Sequence, residues 1–285
     1  MSLALQLAEK GLYSTSPNPR VGCVIVRDGH VVGSGWHERA GQPHAEINAL
    51  NAAGAAAQGS TVYVTLEPCS HHGRTPPCAE ALIKAGITRL VTAMQDPNPL
   101  VAGKGGALMK QAGIAVEAGL MEAEARALNI GFITRMTCRR PWVRMKIAAS
   151  LDGKTALNNG ASRWITGDAA RRDGHRLRAR SCAVLTGIGT VLADNPQLTV
   201  RHVETFRQPL RVVVDSRLEI PVEARILRNG GELIFTATAS EKKIAALRDV
   251  GARILVLPDK NDNVDLFAMM QTLADFEINE VLVEA

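Results

Sequence analysis

Residues 61–78 read TVYVTLEPCSHHGRTPPC, and residues 40–46 read AGQPHAE. The first stretch opens with a β-rich run over 61–66, breaks at Glu67-Pro68, and reaches a proline pair just ahead of Cys78. That order predicts a strand, a loop and then a helix over about 78–85. In the second stretch a proline precedes His44, and an alanine-rich helix is predicted over about 45–57. His44 therefore begins one helix and Cys69 follows a strand. Both sit where helix N-termini point, and backbone dipoles there favour a thiolate over a thiol.

The elements on either side extend this pattern. VGCVIVRDGHVVGSGW (21–36) is two β-rich runs around Asp28-Gly29, a hairpin signal. MSLALQLAEKGL, ahead of it, reads as a short amphipathic helix. Downstream come a strand over 89–94, a helix near 104–112 and a short strand over 114–119. Such alternation predicts a layered α/β domain over 1–140. The pattern resets around Thr137–Pro141, and a second α/β domain is predicted over 141–285. Its strands are 142–149, 182–186, 210–215, 232–238, 253–258 and 281–285, and its helices 168–180, 241–250 and 264–275. A domain rarely stops inside a buried-looking strand, so the second domain is expected to extend past Ala285.

His44, Cys69 and Cys78 offer one imidazole and two thiolates. Three protein ligands with a fourth position left to water make the catalytic rather than the structural form of a tetrahedral zinc site. Water on such a zinc ionises near pH 7. Glu46, two residues from His44, can reach that water without ligating the metal, take its proton and pass it to a departing amine. The order H-x-E…P-C is the mark of zinc deaminases. Each residue alone would read as an ordinary buried side chain; the four in this order and context point to a metal. A closed structural site with His71 or His72 as fourth ligand is the alternative. Cys23, Cys138 and Cys182 lack such a context and read as ordinary buried thiols. Eight residues separate Cys69 from Cys78 where the general deaminase pattern has two, and this narrows the family.

Bulk properties limit the function classes. A chain of 285 residues suits two domains, and 46% apolar with 21% charged residues leaves ample material for cores. No apolar run reaches membrane-spanning length and no secretory signal is present, so a cytoplasmic protein is expected. Five irregularly spaced cysteines argue against a disulfide framework and fit a reducing compartment. The net charge of +5 is spread evenly: 13 basic against 10 acidic residues over 1–140, and 20 against 18 over 141–285. Without a basic tail or an aromatic-studded stripe, a small phosphorylated substrate fits better than nucleic acid. Arg163, Arg171, Arg172, Arg176, Arg178 and Arg180 form a basic region suited either to phosphate or to a solvated helix face. Asp152-Gly153 is a turn after a strand, a place where substrate could meet backbone. No GxGxxG follows a strand, so a Rossmann cofactor site has no support.

TSPNPRVGCVIV (15–26), AGQPHAE, YVTLEPCSHHGRTPPC and MQDPNPLVAGKG (94–105) closely resemble the deaminase half of the bifunctional riboflavin-biosynthesis deaminase–reductases. KIAASLDGKTA (146–156), SRWITG (162–167), residues 176–201 and VVDS (213–216) resemble the reductase half. The resemblance implies an N-terminal cytidine-deaminase-like three-layer domain and a C-terminal dihydrofolate-reductase-like domain. It implies zinc-dependent removal of the 2-amino group of 2,5-diamino-6-(5-phosphoribosylamino)pyrimidin-4-one 5′-phosphate, then NADPH-dependent reduction of the ribosyl group to ribityl.

By the same resemblance His44, Cys69 and Cys78 are the zinc ligands and Glu46 the catalytic acid/base. Asn18, His37 and Arg74 are substrate positions, and so are Ser162, Arg178, Leu198, Arg201 and Glu284 in the second half. Ala148, Trp164, Thr190, Asp194 and Ser216 are positions that touch the nicotinamide cofactor. The family's glycine-rich cofactor loop would follow VLVEA (281–285) directly. The expected partner is a small phosphorylated pyrimidine, with neither nucleic acid nor membrane, and the expected assembly is a homo-oligomer. A tRNA or nucleoside deaminase would instead carry C-x-x-C and a basic, aromatic-lined groove. A zinc-stapled binding protein would unfold without its metal.

Overall fold

The computed structural model describes residues 1–70, 77–99, 101–162 and 164–285. The chain divides into two compact units, Met1–Cys138 and Arg139–Ala285. The first runs α1 (Ser2–Glu9), β1 (Gly22–Arg27), β2 (His30–Trp36), α2 (Ala45–Ala53), β3 (Thr61–Val64), α3 (Cys78–Lys84), β4 (Arg89–Thr92), α4 (Lys104–Gln111), β5 (Ala115–Ala118), α5 (Glu122–Leu128) and α6 (Ile130–Cys138). Its five strands are ordered β2-β1-β3-β4-β5. The β1–β2 and β1–β3 pairs are antiparallel, and the β3–β4 and β4–β5 pairs are parallel. The predicted hairpin turns at Asp28-Gly29, both with positive φ (49° and 78°), the conformation two-residue hairpins favour.

The apolar run of β1 is continuous because both faces of the strand are covered. Cys23 and Ile25 join Ala45, Ala49 and Ala53 of α2 in the main core. Val24 points the other way, onto Ala4 and Leu7 of α1. Small residues let α2 lie directly on the sheet. A Cβ on Gly33 would fall 2.4 Å from the Ala49 carbonyl oxygen, and one on Gly35 2.6 Å from Asn48 Cβ. The close seat matters because α2 carries His44 as its N-cap and Glu46 in its first turn.

The second unit runs β6 (Trp142–Lys146), α7 (Asp168–Arg180), β7 (Ala183–Gly187), α8 (Ile188–Asp194), β8 (Leu210–Val214), β9 (Leu233–Thr236), α9 (Glu241–Asp249), β10 (Arg253–Val256), α10 (Leu266–Asp275) and β11 (Glu280–Glu284). Its six strands, ordered β10-β9-β8-β7-β11-β6, pair in parallel throughout. Strand side chains alternate between two cores. Val184, Val213, Ile234 and Leu282 pack with Val191, Ile244 and Leu247 of α8 and α9. Ala183, Leu185, Val212, Phe235 and Val281 pack with Met269 and Leu273 of α10. A parallel sheet needs helices on both faces, and its strands read as apolar runs for that reason.

Three helices fell outside the sequence prediction: α5, α6 and α8. Two are seven residues long, and α6 holds Gly131 with the β-branched Ile133, Thr134 and Thr137, all weak helix formers. The predicted helix over 45–57 stops at Ala53, because Gly54 takes φ 53° and a 3₁₀ turn follows. The predicted strand over 142–149 ends at Lys146. Cys23 and Cys182 are buried as expected, but Cys138 is exposed at the end of α6. Among the described residues no helix is long and apolar enough to cross a membrane.

Gly33→Ala is expected to destabilise the first unit by about 1–3 kcal/mol, the usual cost of overpacking, since the new methyl meets helix backbone. Gly174→Ala, mid-helix in α7 with nothing within 4 Å of the new methyl, is expected to stabilise by about 0.5–1 kcal/mol. Thermal unfolding of the two variants beside the parent checks both signs.

Candidate active sites

Three separate segments bring His44, Cys69 and Cys78 together. His44 caps α2, Cys69 lies beyond the end of β3, and Cys78 opens α3. One ligand atom from each lies within 4.8 Å of the others. His44 Nδ1 stands 3.3 Å from Cys78 Sγ and 3.6 Å from Cys69 Sγ, and the Cys78 amide donates to Cys69 Sγ at 3.3 Å. A hydrogen bond from Cys78 holds the Cys69 thiol down to about 4, against the opposing effect of burial. The same contact pushes Cys78 up, with burial adding to it. One imidazole and two close sulfurs are the donor chemistry zinc selects.

Glu46 is buried beside them at 3% exposure, and burial pushes its carboxyl up to about 7 against the pull of its own backbone amide and of His44. His37 is also buried, its ring set edge-on to that of His44 with centroids 5.3 Å apart. His37 Nδ1 donates to the Pro43 carbonyl at 3.1 Å, which leaves Nε2 to accept from Asn18 Nδ2 at 3.0 Å. Burial keeps this imidazole below its ordinary pKa. Asn18, His37, His44, Glu46, Cys69 and Cys78 thus form one cluster. Arg74 lies outside the described residues, as do His71 and His72.

The Asn18 loop is tied down by residues the sequence reading did not single out. The buried Arg20 donates from its backbone amide to Asn129 Oδ1 (2.8 Å), and Asn129 Nδ2 returns a bond to the Arg20 carbonyl (2.9 Å). Arg20 Nη1 also donates to the Leu128 carbonyl at 2.7 Å. The junction of α5 and α6 is therefore the anchor of this loop, and no local motif marks a partner 109 residues away.

In the second unit the expected residues gather past the carboxyl ends of four consecutive strands, β8, β7, β11 and β6, where open α/β sheets bind ligands. Ser216 follows β8, Thr190 lies in the helix after β7, Glu284 ends β11, and Ala148 follows β6. Asp194 is the last residue of α8. Glu284 does not face a ligand unaided. Arg178 holds both of its oxygens at 2.5 and 2.9 Å, and Lys146 approaches within 3.7 Å. Burial would raise the Glu284 pKa, but the hydrogen bonds and charges of Arg178, with Lys146, outweigh it and hold the carboxyl below its usual range.

Arg178 Nη1 donates to the Thr199 carbonyl at 3.0 Å, and Arg201 Nη1 to Thr199 Oγ1 at 3.0 Å. Leu198, buried with φ 51°, belongs to the same loop. The Arg201 amide donates to His175 Nδ1 at 3.2 Å; burial and the charges of Arg178 and Arg201 hold His175 near 4, so it stays neutral and accepts. The sequence reading passed over His175, since a lone histidine on a basic helix carries no signature. Ser162 is half-buried, and Trp164 is 71% exposed with the Arg171 guanidinium 4.4 Å above its ring. Arg163 lies outside the described residues. Asp152-Gly153 forms the expected turn, with Gly153 at φ 79° and its amide bonded to the Ser150 carbonyl.

Two family models match the chain: the cytidine and deoxycytidylate deaminase zinc-binding region over residues 1–94, and the RibD C-terminal domain over residues 141–285. The riboflavin biosynthesis protein RibD of Escherichia coli is 49% identical over 297 residues, spanning 100% of this chain and 80% of its own length. That of Aquifex aeolicus is 46% identical, spanning 100% and 79%. The structure of Acinetobacter baumannii RibD superposes with a TM-score of 0.90 at 49% identity, covering 100% of this chain and 79% of that one. A diaminohydroxyphosphoribosylaminopyrimidine deaminase/5-amino-6-(5-phosphoribosylamino)uracil reductase from Thermotoga maritima gives 0.90 at 40% identity with the same coverage. With relatives of this likeness matched along its whole length, the chain belongs to the RibD family of riboflavin biosynthesis proteins.

Proposed function

We propose that the first unit replaces the 2-amino group of 2,5-diamino-6-(5-phosphoribosylamino)pyrimidin-4-one 5′-phosphate with oxygen, releasing ammonia. The second unit then reduces the ribosyl group to ribityl. The observation that carries this reading is the cluster of His44, Cys69 and Cys78 with the buried Glu46 beside it. Zinc held by those three side chains supplies Lewis acidity and brings the pKa of water toward neutrality. Glu46, with a carboxyl poised near 7, is matched to accept a proton from water and return it to the leaving amine. Asn18 and His37 orient the pyrimidine, their mutual bond fixing both side chains. Arg74 supplies a cationic contact to the phosphate or to a pyrimidine oxygen.

In the second unit NADPH supplies the hydride, and Ala148, Trp164, Thr190, Asp194 and Ser216 line its place. Arg178 and Arg201, with Ser162 and Leu198, hold the phosphorylated substrate. Glu284 acts by fixing the Arg178 fork, since both its oxygens are already engaged. Cytoplasmic location and a homo-oligomeric assembly belong to the same reading; five cysteines outside any disulfide, two of them at the metal site, fit the reducing compartment.

The deciding experiment incubates the full chain with the diaminopyrimidine phosphate, with and without NADPH, and follows ammonia release and NADPH oxidation together. Ammonia without NADPH, followed by oxidation when NADPH is added, is the expected result; no ammonia in either arm overturns the reading. Glu46→Gln is expected to keep its zinc and lose ammonia release by about 10²–10⁴-fold, the usual worth of a general acid–base group. Metal analysis is expected to find about one zinc per chain in the parent and in Cys23→Ala, but little in Cys69→Ala or Cys78→Ala.

A further inference from the structure

No residue of the proposed machinery lies in MQDPNPLVAGKG (94–105). Glu67 gives that segment a role. Its carboxylate is 6% exposed and accepts from three backbone amides: Asp96 at 3.2 Å, Gly103 at 2.9 Å and Gly106 at 3.0 Å. Its own amide donates to the Met94 carbonyl at 3.0 Å. The start of α4 also presses on the next residue, for a Cβ on Gly105 would fall 2.0 Å from the Pro68 carbonyl oxygen. On its other side Cys69 is fixed by α3, its carbonyl accepting from Ala79 at 3.1 Å and its Sγ from Cys78 at 3.3 Å.

A cavity of about 330 Å³ opens beside Glu67, lined also by Thr92, Gln95 and Lys110. The amides at the start of α4 are already taken by Glu67, so that carboxylate is turned to the protein rather than offered to a ligand.

We propose that Glu67 is a positioning residue for the metal centre. By clasping the amides of Asp96, Gly103 and Gly106 it fixes the Pro68-Cys69 turn, and so sets where Cys69 Sγ stands relative to His44 and Cys78. The proposal rests on the zinc reading given above. A carboxylate offers acceptors on both oxygens; glutamine keeps the volume but turns an NH₂ donor toward amides that also donate.

The test strips metal from the full chain and from its Glu67→Gln and Gly106→Pro variants. Each is titrated with zinc against a chelating dye, and the cobalt-loaded forms are read by their thiolate-to-cobalt charge-transfer band. Gly106→Pro removes one of the three donors at a first-turn position, where the amide is not needed within the helix, and its ring Cδ displaces the Glu67 oxygen that amide held. Zinc binding by the parent chain tests the metal reading by itself; if the parent binds none, that reading fails before the clasp is at issue. Given a parent that binds, Glu67→Gln is expected to weaken zinc by about tenfold or more, the scale on which contacts behind metal ligands act, and to shift the cobalt band. Gly106→Pro should show a smaller loss in the same direction. Parent-like zinc affinity with an unshifted band in folded Glu67→Gln would overturn the proposal, even if that variant melts earlier. If Glu67→Gln does not fold, unchanged affinity in Gly106→Pro overturns it instead.

Discussion

The first unit is organised by one requirement: an imidazole and two thiols from three distant stretches must stand within 4.8 Å of one another. His44 caps α2, Cys78 opens α3, and Cys69 lies in the loop after β3. α2 is seated on β2 through glycines that leave no room for a side chain, so His44 and Glu46 take their positions from the sheet. Cys69 leaves the end of β3, and Cys78 opens α3 with its amide aimed back at the Cys69 sulfur. The sheet order β2-β1-β3 leaves one strand, β1, between β3, which leads to Cys69, and the glycine platform of β2 that seats α2. A hydrophobic core of mostly small and β-branched residues lets these layers approach closely.

The second unit solves a related problem with charge. Glu284 and Arg178 are both largely buried, and an unpaired carboxylate there would be strongly destabilised. Two-point contact with the Arg178 fork, helped by Lys146, keeps the carboxyl ionised and the guanidinium aimed. The arginine then reaches the Thr199 carbonyl, and the loop through Arg201 closes on the neutral His175. What resembles a list of separate substrate contacts in the sequence is one hydrogen-bonded array at the carboxyl edge of a parallel sheet.

Several residues that hold these arrays carry no sequence signature of that role. Asn129 secures Arg20 and with it the Asn18 loop, His175 receives the Arg201 amide, and Glu67 gathers three amides of the 96–106 segment. Each acts on main chain rather than on a reacting group. A residue whose partner is a backbone amide leaves no complementary residue type in the sequence, so spacing cannot reveal it.

The sequence by itself determined the classes of element and the metal chemistry. β-branched runs, proline breaks and the Asp28-Gly29 turn are local signals, and His44, Glu46, Cys69 and Cys78 carry their chemistry in residue type and order. It also separated the two α/β series, because periodicity resets where one core ends. Only the tertiary structure decided which distant groups meet: the His37–Asn18 bond, the Arg178–Glu284 pair across 106 residues, and the Glu67 clasp. It likewise fixed α5, α6 and α8: α5 and α8 are only seven residues long and α6 is made largely of weak helix formers, so each is held by packing. Local patterns record what a segment does with its neighbours in sequence. Contacts between segments are settled by the sheet order and by burial, and these exist only once the chain has folded.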